Sequence, residues 1–238
     1  MKYLSAVFIF LRGLLALLLV PFLTVLVGLT ILVLAFFLSY RGGRLQFLPR
    51  WWGRTICRIS GVKVAISGLE SLDRSKPYIF AANHQSQFDI FVLLGYLDFD
   101  FRWLAKKELF AIPLLGWAMR RADYIPVDRR HGRQAWASLN EAAQKIAAGT
   151  SVVIFPEGTR SPDGRLQPIK TGAMVLAIKA GVELVPLTII GTHEILPKGK
   201  LLARPGQVTI RAAQPIAAAD FSLQQKQQLA DLLADKLR

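Results

Sequence analysis

The chain has 238 residues, 53% of them hydrophobic, with 30 Lys and Arg against 16 Asp and Glu for a formal net charge of +14. That length fits one α/β domain with an appendage, and the charge asks for an anionic partner, a membrane face in preference to nucleic acid given the apolar content. A single cysteine, Cys57, excludes an internal disulfide and fits a reducing compartment; with only His84, His131 and His193 beside it, no cysteine–histidine zinc cluster can be assembled.

Residues Leu4 to Leu38 are almost unbroken apolar sequence, interrupted only by Arg12. As a helix that is about 50 Å, against a hydrocarbon core of about 30 Å. Two arrangements answer the mismatch. Either Pro21 breaks the segment into a hairpin of two short helices, or Leu14 to Leu38 spans once and Met1 to Gly13 lies at the interface. Arg12 is costly at mid-membrane and is expected near a headgroup layer in both. The run is too long for a signal h-region and no small-x-small cleavage site precedes Arg41, so residues 1–40 are expected to be retained as a membrane anchor.

Arg41, Arg44, Arg50, Arg54 and Arg58 follow, interleaved with Phe47, Leu48, Trp51, Trp52 and Ile56. Arginine beside tryptophan reads as an interfacial segment on anionic lipid, so 41–61 is expected to be a basic linker. The positive-inside rule puts this flank in the cytoplasm, and Lys2 favours the hairpin with both ends inside.

From Val62 strands and helices alternate. Strands are predicted at Val62–Ile66, Pro77–Ala82, Phe101–Ala105, Tyr124–Val127, Ser151–Phe155, Glu183–Ile190 and Gln207–Ala212. Helices are predicted at Asp89–Leu97, Ile112–Arg120, Arg133–Ala148, Gly172–Ala180 and Ser222–Leu237. Residues 62–238 therefore read as one α/β domain.

Chemistry concentrates where strands end. In Asn83-His84-Gln85-Ser86-Gln87-Phe88-Asp89 a histidine precedes an aspartate by five places. On one helix the two would point about 140° apart, so they meet only if His84 sits in the turn and Asp89 on the first turns of the helix. Asp89 then takes one imidazole N–H and the other nitrogen is free to accept a proton from a hydroxyl. Asn83 or Ser86 is available to cap the helix. The strand Val152–Phe155 runs into Pro156-Glu157-Gly158-Thr159-Arg160, where Gly158 allows a tight turn and Arg160 offers a fork suited to phosphate. Lys170 precedes a helix whose free N–H groups suit an anion, and Ile125-Pro126-Val127-Asp128-Arg129 puts another charged pair at a strand end.

Taken in order, Asn83-His84-x-x-x-x-Asp89, then Lys106 with Pro113 and Gly116, then Ile125-Pro126-Val127-Asp128-Arg129, then Phe155 to Arg160, then Val185-Pro186-Leu187 resemble the motif blocks of the glycerolipid acyltransferases. The resemblance covers Val62 to Arg211 and is nearest to bacterial 1-acylglycerol-3-phosphate acyltransferases; the first block and Phe155–Arg160 match fully, while Asp123-Tyr124 depart from the usual pattern. It implies a single mixed-sheet α/β acyltransferase domain with flanking helices behind the hydrophobic anchor. It implies transfer of a fatty acyl group from coenzyme A or acyl carrier protein to the sn-2 hydroxyl of lysophosphatidic acid, giving phosphatidic acid. His84 is then the general base and Asp89 holds its tautomer. Arg160, with Arg129, Lys106 and Lys170, binds the phosphate of the acceptor, while Glu157, Gly158 and Thr159 shape that pocket. No metal or tightly bound cofactor is implied, and the partners are an anionic bilayer, the lyso-lipid and the thioester carrier. The implied location is the cytoplasmic face of a bacterial inner membrane. Other readings are an acyltransferase for a lyso-ornithine lipid or another lysophospholipid, a hydrolase using Ser86, and a membrane-tethered nucleic-acid binder.

Overall fold

A computed structural model describes residues 2–128 and 132–238, with side chains placed from Ala6 onward. Two helices come first, α1 (Lys2–Phe37) and α2 (Phe47–Ser60). They are followed by β1 (Val62–Ser67), β2 (Tyr78–Ala82), α3 (Phe88–Tyr96), β3 (Phe101–Lys106), α4 (Leu115–Arg121), β4 (Ile125–Val127), α5 (Arg133–Ala147), β5 (Ser151–Ile154), α6 (Thr171–Ala180) and β6 (Glu183–Ile190). The chain closes with α7 (Thr192–Ile195), β7 (Gly206–Ala212), β8 (Ile216–Ala217) and α8 (Lys226–Lys236). The predicted elements all form, most within a residue or two of the expected ends. The expected helix at Ile112–Arg120 starts late, as α4 at Leu115, because Leu114 takes a positive φ of 63°; a separate 3-10 turn at Lys107–Ala111 precedes it. The two-residue β8 and the single-turn α7 are too short to leave a periodic signal.

The sheet runs β1-β7-β6-β2-β5-β3-β4, with β8 against β6. Five neighbours, β6-β2-β5-β3-β4, are mutually parallel; β7 and β8 run antiparallel to β6. Burial on both faces explains the parallel core, since every residue of β2 and β5 is buried. Alternation divides them between two cores: Tyr78, Phe80 and Val153 face the α2/α3 side, Ile79, Val152 and Ile154 the α5/α6/α8 side. The parallel arrangement has one consequence for chemistry. The C-terminal ends of all five strands lie along one edge of the sheet.

Two expectations about the N-terminal third need correction. The hairpin does not form: α1 is continuous through Pro21. A proline removes one N–H from the helix ladder, whereas reversal would break several backbone bonds. Nor is residues 41–61 a linker on the surface. Its helix α2 buries Ile56 and Cys57 in the main core and crosses α3 where Gly53 meets Gly95. A Cβ on Gly53 would lie 2.5 Å from the carbonyl oxygen of Phe91, so only glycine permits the approach. Trp52 turns inward onto Phe91, edge to face, while Trp51 and Phe47 face outward. Two of the arginines expected on lipid also turn inward. Arg54 donates to the Gly95 carbonyl (2.6 Å), and Arg50 pairs with Asp98 (2.8 Å) beside the carbonyls of Leu97 and Phe99. Both hold the C-terminal end of α3, where orphan carbonyls and the negative end of the helix dipole gather.

Arg12 does the same for α2. Its guanidinium donates to the carbonyls of Ile59 (2.7 Å) and Arg58 (2.8 Å), so the one charge in the apolar run is a cap for the following helix. With Ala16, Leu23, Val27, Ile31 and Ala35 buried, one face of α1 lies along the domain from Gly13 onward. Its other face leaves Phe8, Leu18, Phe22, Phe36 and Phe37 exposed. Arg12→Ala removes both bonds and is expected to cost about 1–2 kcal/mol, lowering Tm in detergent by about 2–8 °C. Differential scanning calorimetry of Arg12→Ala beside Arg12→Lys, which keeps the charge, checks this; an unchanged Tm in Arg12→Ala rules out the capping role.

Candidate active site

The site lies where β2, β5 and β6 end. Asn83 pins the end of β2 to β6, its amide donating to the carbonyl of Ile189 (2.9 Å) and accepting its N–H (2.6 Å). It therefore does not cap α3; the Ser86 hydroxyl accepts the N–H of Phe88, the first helical residue (3.1 Å). That hydroxyl also donates to the Leu196 carbonyl and Ser86 is completely buried, so the hydrolase reading loses its nucleophile.

His84 sits in the turn and Asp89 in the first turn of α3, the placement their spacing requires. Nδ1 of His84 is 2.8 Å from Oδ2 of Asp89. The same oxygen accepts the N–H groups of Gln85 (2.7 Å) and Ser86 (2.8 Å). Asp89 is fully buried and the imidazole is 14% exposed. With a hydrogen on Nδ1 the ring donates to Oδ2 of Asp89, and in that tautomer Nε2 is the nitrogen free to accept a proton. The imidazole lies flat on Phe155, centroids 3.8 Å apart and planes 10° from parallel, and Trp103 stacks behind Phe155. The plane of the ring is thus set by its stacking partners as well as by the contact to Asp89.

The loop after β5 grips the backbone of His84 from both sides. The His84 N–H donates to Oε1 of Glu157 (2.5 Å), and the His84 carbonyl accepts the N–H of Ser161 (2.7 Å). The other oxygen of Glu157 accepts the Gln167 N–H (2.7 Å). Burial pushes the Glu157 carboxyl above the usual range, and the two N–H bonds pull against that shift. Both of its oxygens are thus engaged by backbone N–H groups of the protein. Gly158 turns with φ 75°, and a Cβ there would lie 2.8 Å from Lys170 Nζ, so Lys170 arches over the turn. Thr159 is exposed and Arg160 half-buried on the same turn, which Lys198 braces by donating to the Arg160 carbonyl (2.9 Å).

Lys106 ends β3, exposed and paired with Glu108 at 3.6 Å. It stands two strands from β2, about 10 Å away at ordinary strand spacing. Arg129 lies outside the described residues. Elsewhere a cleft of about 850 Å³, lined by Arg102, Lys107, Arg120 and Tyr124 among others, borders β4 and does not contain His84. The grouping of His84 and Asp89 with Glu157, Gly158, Thr159, Arg160 and Lys170 is therefore the candidate site. Sequence reasoning missed Phe155 as a ring support, Ser161 and Gln167 as loop ties, Lys198, and Thr192, whose hydroxyl reaches Asp89 across 103 positions. No spacing rule reaches that far; only the neighbouring of β2 and β6 brings them together.

Comparison with known proteins bears on what such a site does. The chloroplast 1-acyl-sn-glycerol-3-phosphate acyltransferase BAT2 of Brassica napus is 37% identical over 201 residues, 84% of this chain and 55% of that one. The lyso-ornithine lipid O-acyltransferase of Rhizobium meliloti is 35% identical over 176 residues, 68% of this chain and 59% of its own length. The chain thus spans less than two thirds of either relative. The crystal structure of the 1-acyl-sn-glycerophosphate (LPA) acyltransferase PlsC from Thermotoga maritima superposes with a TM-score of 0.76 at 28% identity, covering 95% of this chain and 96% of that one. The Acyltransferase family model matches residues 63–190, from β1 to the end of β6 and so through every strand that builds the site: the chain belongs to the Acyltransferase family.

Proposed function

We propose that this protein transfers a fatty acyl group from a thioester, on coenzyme A or acyl carrier protein, to the sn-2 hydroxyl of lysophosphatidic acid. The observation that carries the reading is the His84–Asp89 pair, with Nδ1 committed to a buried carboxylate and Nε2 left as a base. The acceptor hydroxyl loses its proton to Nε2 as its oxygen attacks the thioester carbonyl. The tetrahedral oxyanion collapses, the C–S bond breaks, and the proton passes from the imidazolium to the departing thiolate. The hydroxyl is itself the nucleophile, so no covalent acyl-enzyme forms. Arg160, Lys170 and Lys106 supply cations for the phosphate along the same sheet edge, and the motif adds Arg129 to that set. The relative acting on a lyso-ornithine lipid keeps a second acceptor in view; this set of cations favours the phosphate-bearing one.

Lipid substrates place the site at a bilayer. The face of α1 packed on the domain runs from Gly13 to Ala35, about 33 Å and as long as the hydrocarbon core is thick. An upright helix would carry α2, α4 and their arginines into hydrocarbon at a cost of several kcal/mol. We therefore read α1 as lying along the interface with its outer face in lipid. Leu109, Ile112 and Trp117, exposed on the turn after β3 and on α4, extend that apolar surface toward the site edge. The exposed arginines Arg41, Arg44 and Arg58 beside this helix suit the anionic cytoplasmic leaflet, so we read the site as facing the cytoplasm.

Three variants test the assignment in detergent micelles with palmitoyl thioester. His84→Ala is expected to lower turnover by about a hundredfold to ten-thousandfold while the fold and membrane binding persist; near-normal turnover rejects the general base. Arg160→Ala is expected to raise KM for lysophosphatidic acid at least about tenfold and to spare a phosphate-free acceptor. An equal loss with both acceptors removes Arg160 from the phosphate site. Glu157→Gln turns an amide NH2 toward one of the two N–H donors it now accepts. The expected effect is about a tenfold fall in kcat with KM nearly constant, because Glu157 holds the backbone of His84 and touches no substrate. A change confined to KM would return Glu157 to the substrate pocket.

A further inference from the structure

We infer that Thr192 is a positioning residue for the catalytic pair, completing the hydrogen-bond shell of Asp89 from the start of α7, outside the two motifs that hold His84, Asp89 and Glu157. This rests on the acyl-transfer reading above. Thr192 opens α7 directly after β6, and its hydroxyl donates to Oδ1 of Asp89 at 2.5 Å. Both residues are fully buried. The other three donors to Asp89, from His84, Gln85 and Ser86, all converge on Oδ2. Among the described residues, Thr192 is the partner of Oδ1.

The division of labour matters because the carboxylate can twist about its Cβ–Cγ bond. Oδ2 must point at Nδ1 while receiving two backbone N–H groups, and a single bond on the opposite oxygen fixes the plane in which it does so. Without the hydroxyl, Oδ1 is a buried charged acceptor with no donor, a condition the site can relieve only by twisting the carboxylate or drawing in water. Either loosens the bond that holds the His84 ring and its tautomer. The threonine is in turn held in place: Gly191, with φ 97°, makes the turn out of β6, and the Thr192 carbonyl accepts the Leu196 N–H. Asn83 locks β6 to β2 just before this point. Thus β6 delivers one hydroxyl to the far side of the aspartate while β2 and α3 supply the near side.

The test compares Thr192→Val, which keeps the shape and removes the hydroxyl, with Thr192→Ser, which keeps the hydroxyl. Steady-state kinetics in micelles is one readout. The other is the low-field proton resonance of the His84 Nδ1–H in nitrogen-15 histidine-labelled protein, which reports the His84–Asp89 bond whatever the reaction is. For Thr192→Val we expect kcat to fall by about tenfold to a hundredfold, the range seen when the partner behind a metal-bound histidine is removed, with KM for both substrates nearly constant. The Nδ1–H resonance is expected to broaden or move upfield. Thr192→Ser is expected to restore both. Thr192→Val with wild-type kcat and an unchanged resonance overturns the inference, as does a Thr192→Ser protein as impaired as the valine variant, which would make the methyl group's packing the cause. If the wild-type chain transfers no acyl group yet the resonance responds as expected, the proposed reaction fails and the positioning role stands.

Discussion

A carboxylate shut away from water must be supplied with donors by the protein, and Asp89 sets that demand for the whole site. It has no exposed surface and takes four hydrogen bonds, from the turn after β2 and from α7 after β6. Those donors converge only if β2 and β6 are neighbours and parallel, as the register pairing Ala82 with Leu187 makes them. The strand order is thus a condition of the chemistry. Glu157 repeats the logic one strand over. It too is buried, and satisfies itself by drawing the His84 and Gln167 N–H groups onto its two oxygens, which fastens the loop after β5 to the loop after β2. Two carboxylates with different partners therefore hold one histidine, Asp89 by its ring and Glu157 by its backbone.

The arginines of the N-terminal third obey a related rule. Helix ends present carbonyls without partners, and α2 and α3 both end inside the protein, where water offers little help. Arg12 meets the end of α2, Arg50 and Arg54 the end of α3. A guanidinium has five donors in a plane and remains charged, which suits it to several carbonyls at once. The result is a stack, α1 on α2 on α3, knitted by charges that composition alone assigns to lipid. Only part of the +14 charge is then left for an anionic surface; Arg41, Arg44 and Arg58 remain exposed near this stack.

How much of this the sequence discloses follows from the range of each signal. The strands are legible because β2, β5 and β6 are short apolar runs bounded by Pro, Gly or polar residues. The His84–Asp89 contact is legible because both ends of it lie within one turn. Arg12 was not, since a lone arginine in an apolar run looks the same whether it faces headgroups or a helix terminus forty-seven positions away. Pro21 misled for a similar reason: it marks a place where a helix can end, and only packing along α2 and α4 decides that it does not. Thr192 lay beyond any pattern, because its role depends on which strands are neighbours and the sequence carries no local mark of strand order.

These facts together bear on how lipid would meet the site under the proposed function. The strand ends that carry His84, Glu157 and Lys106 share one sheet edge, and the turn that leaves this edge after β3 bears exposed Leu109 and Ile112. Leu114, held at positive φ just beyond, packs its side chain on Gly28 of α1. A non-glycine residue in that conformation is strained and persists only where surrounding structure over-determines it. Here the surrounding structure is the apolar helix itself. The connection runs from the middle of α1, through Leu114, to the end of β3 and the catalytic edge. On the function proposed above, a helix seated in the interface would set the height of the active site above the lipid, so that the acceptor's hydroxyl and phosphate would reach the polar edge while its acyl chain stayed in hydrocarbon.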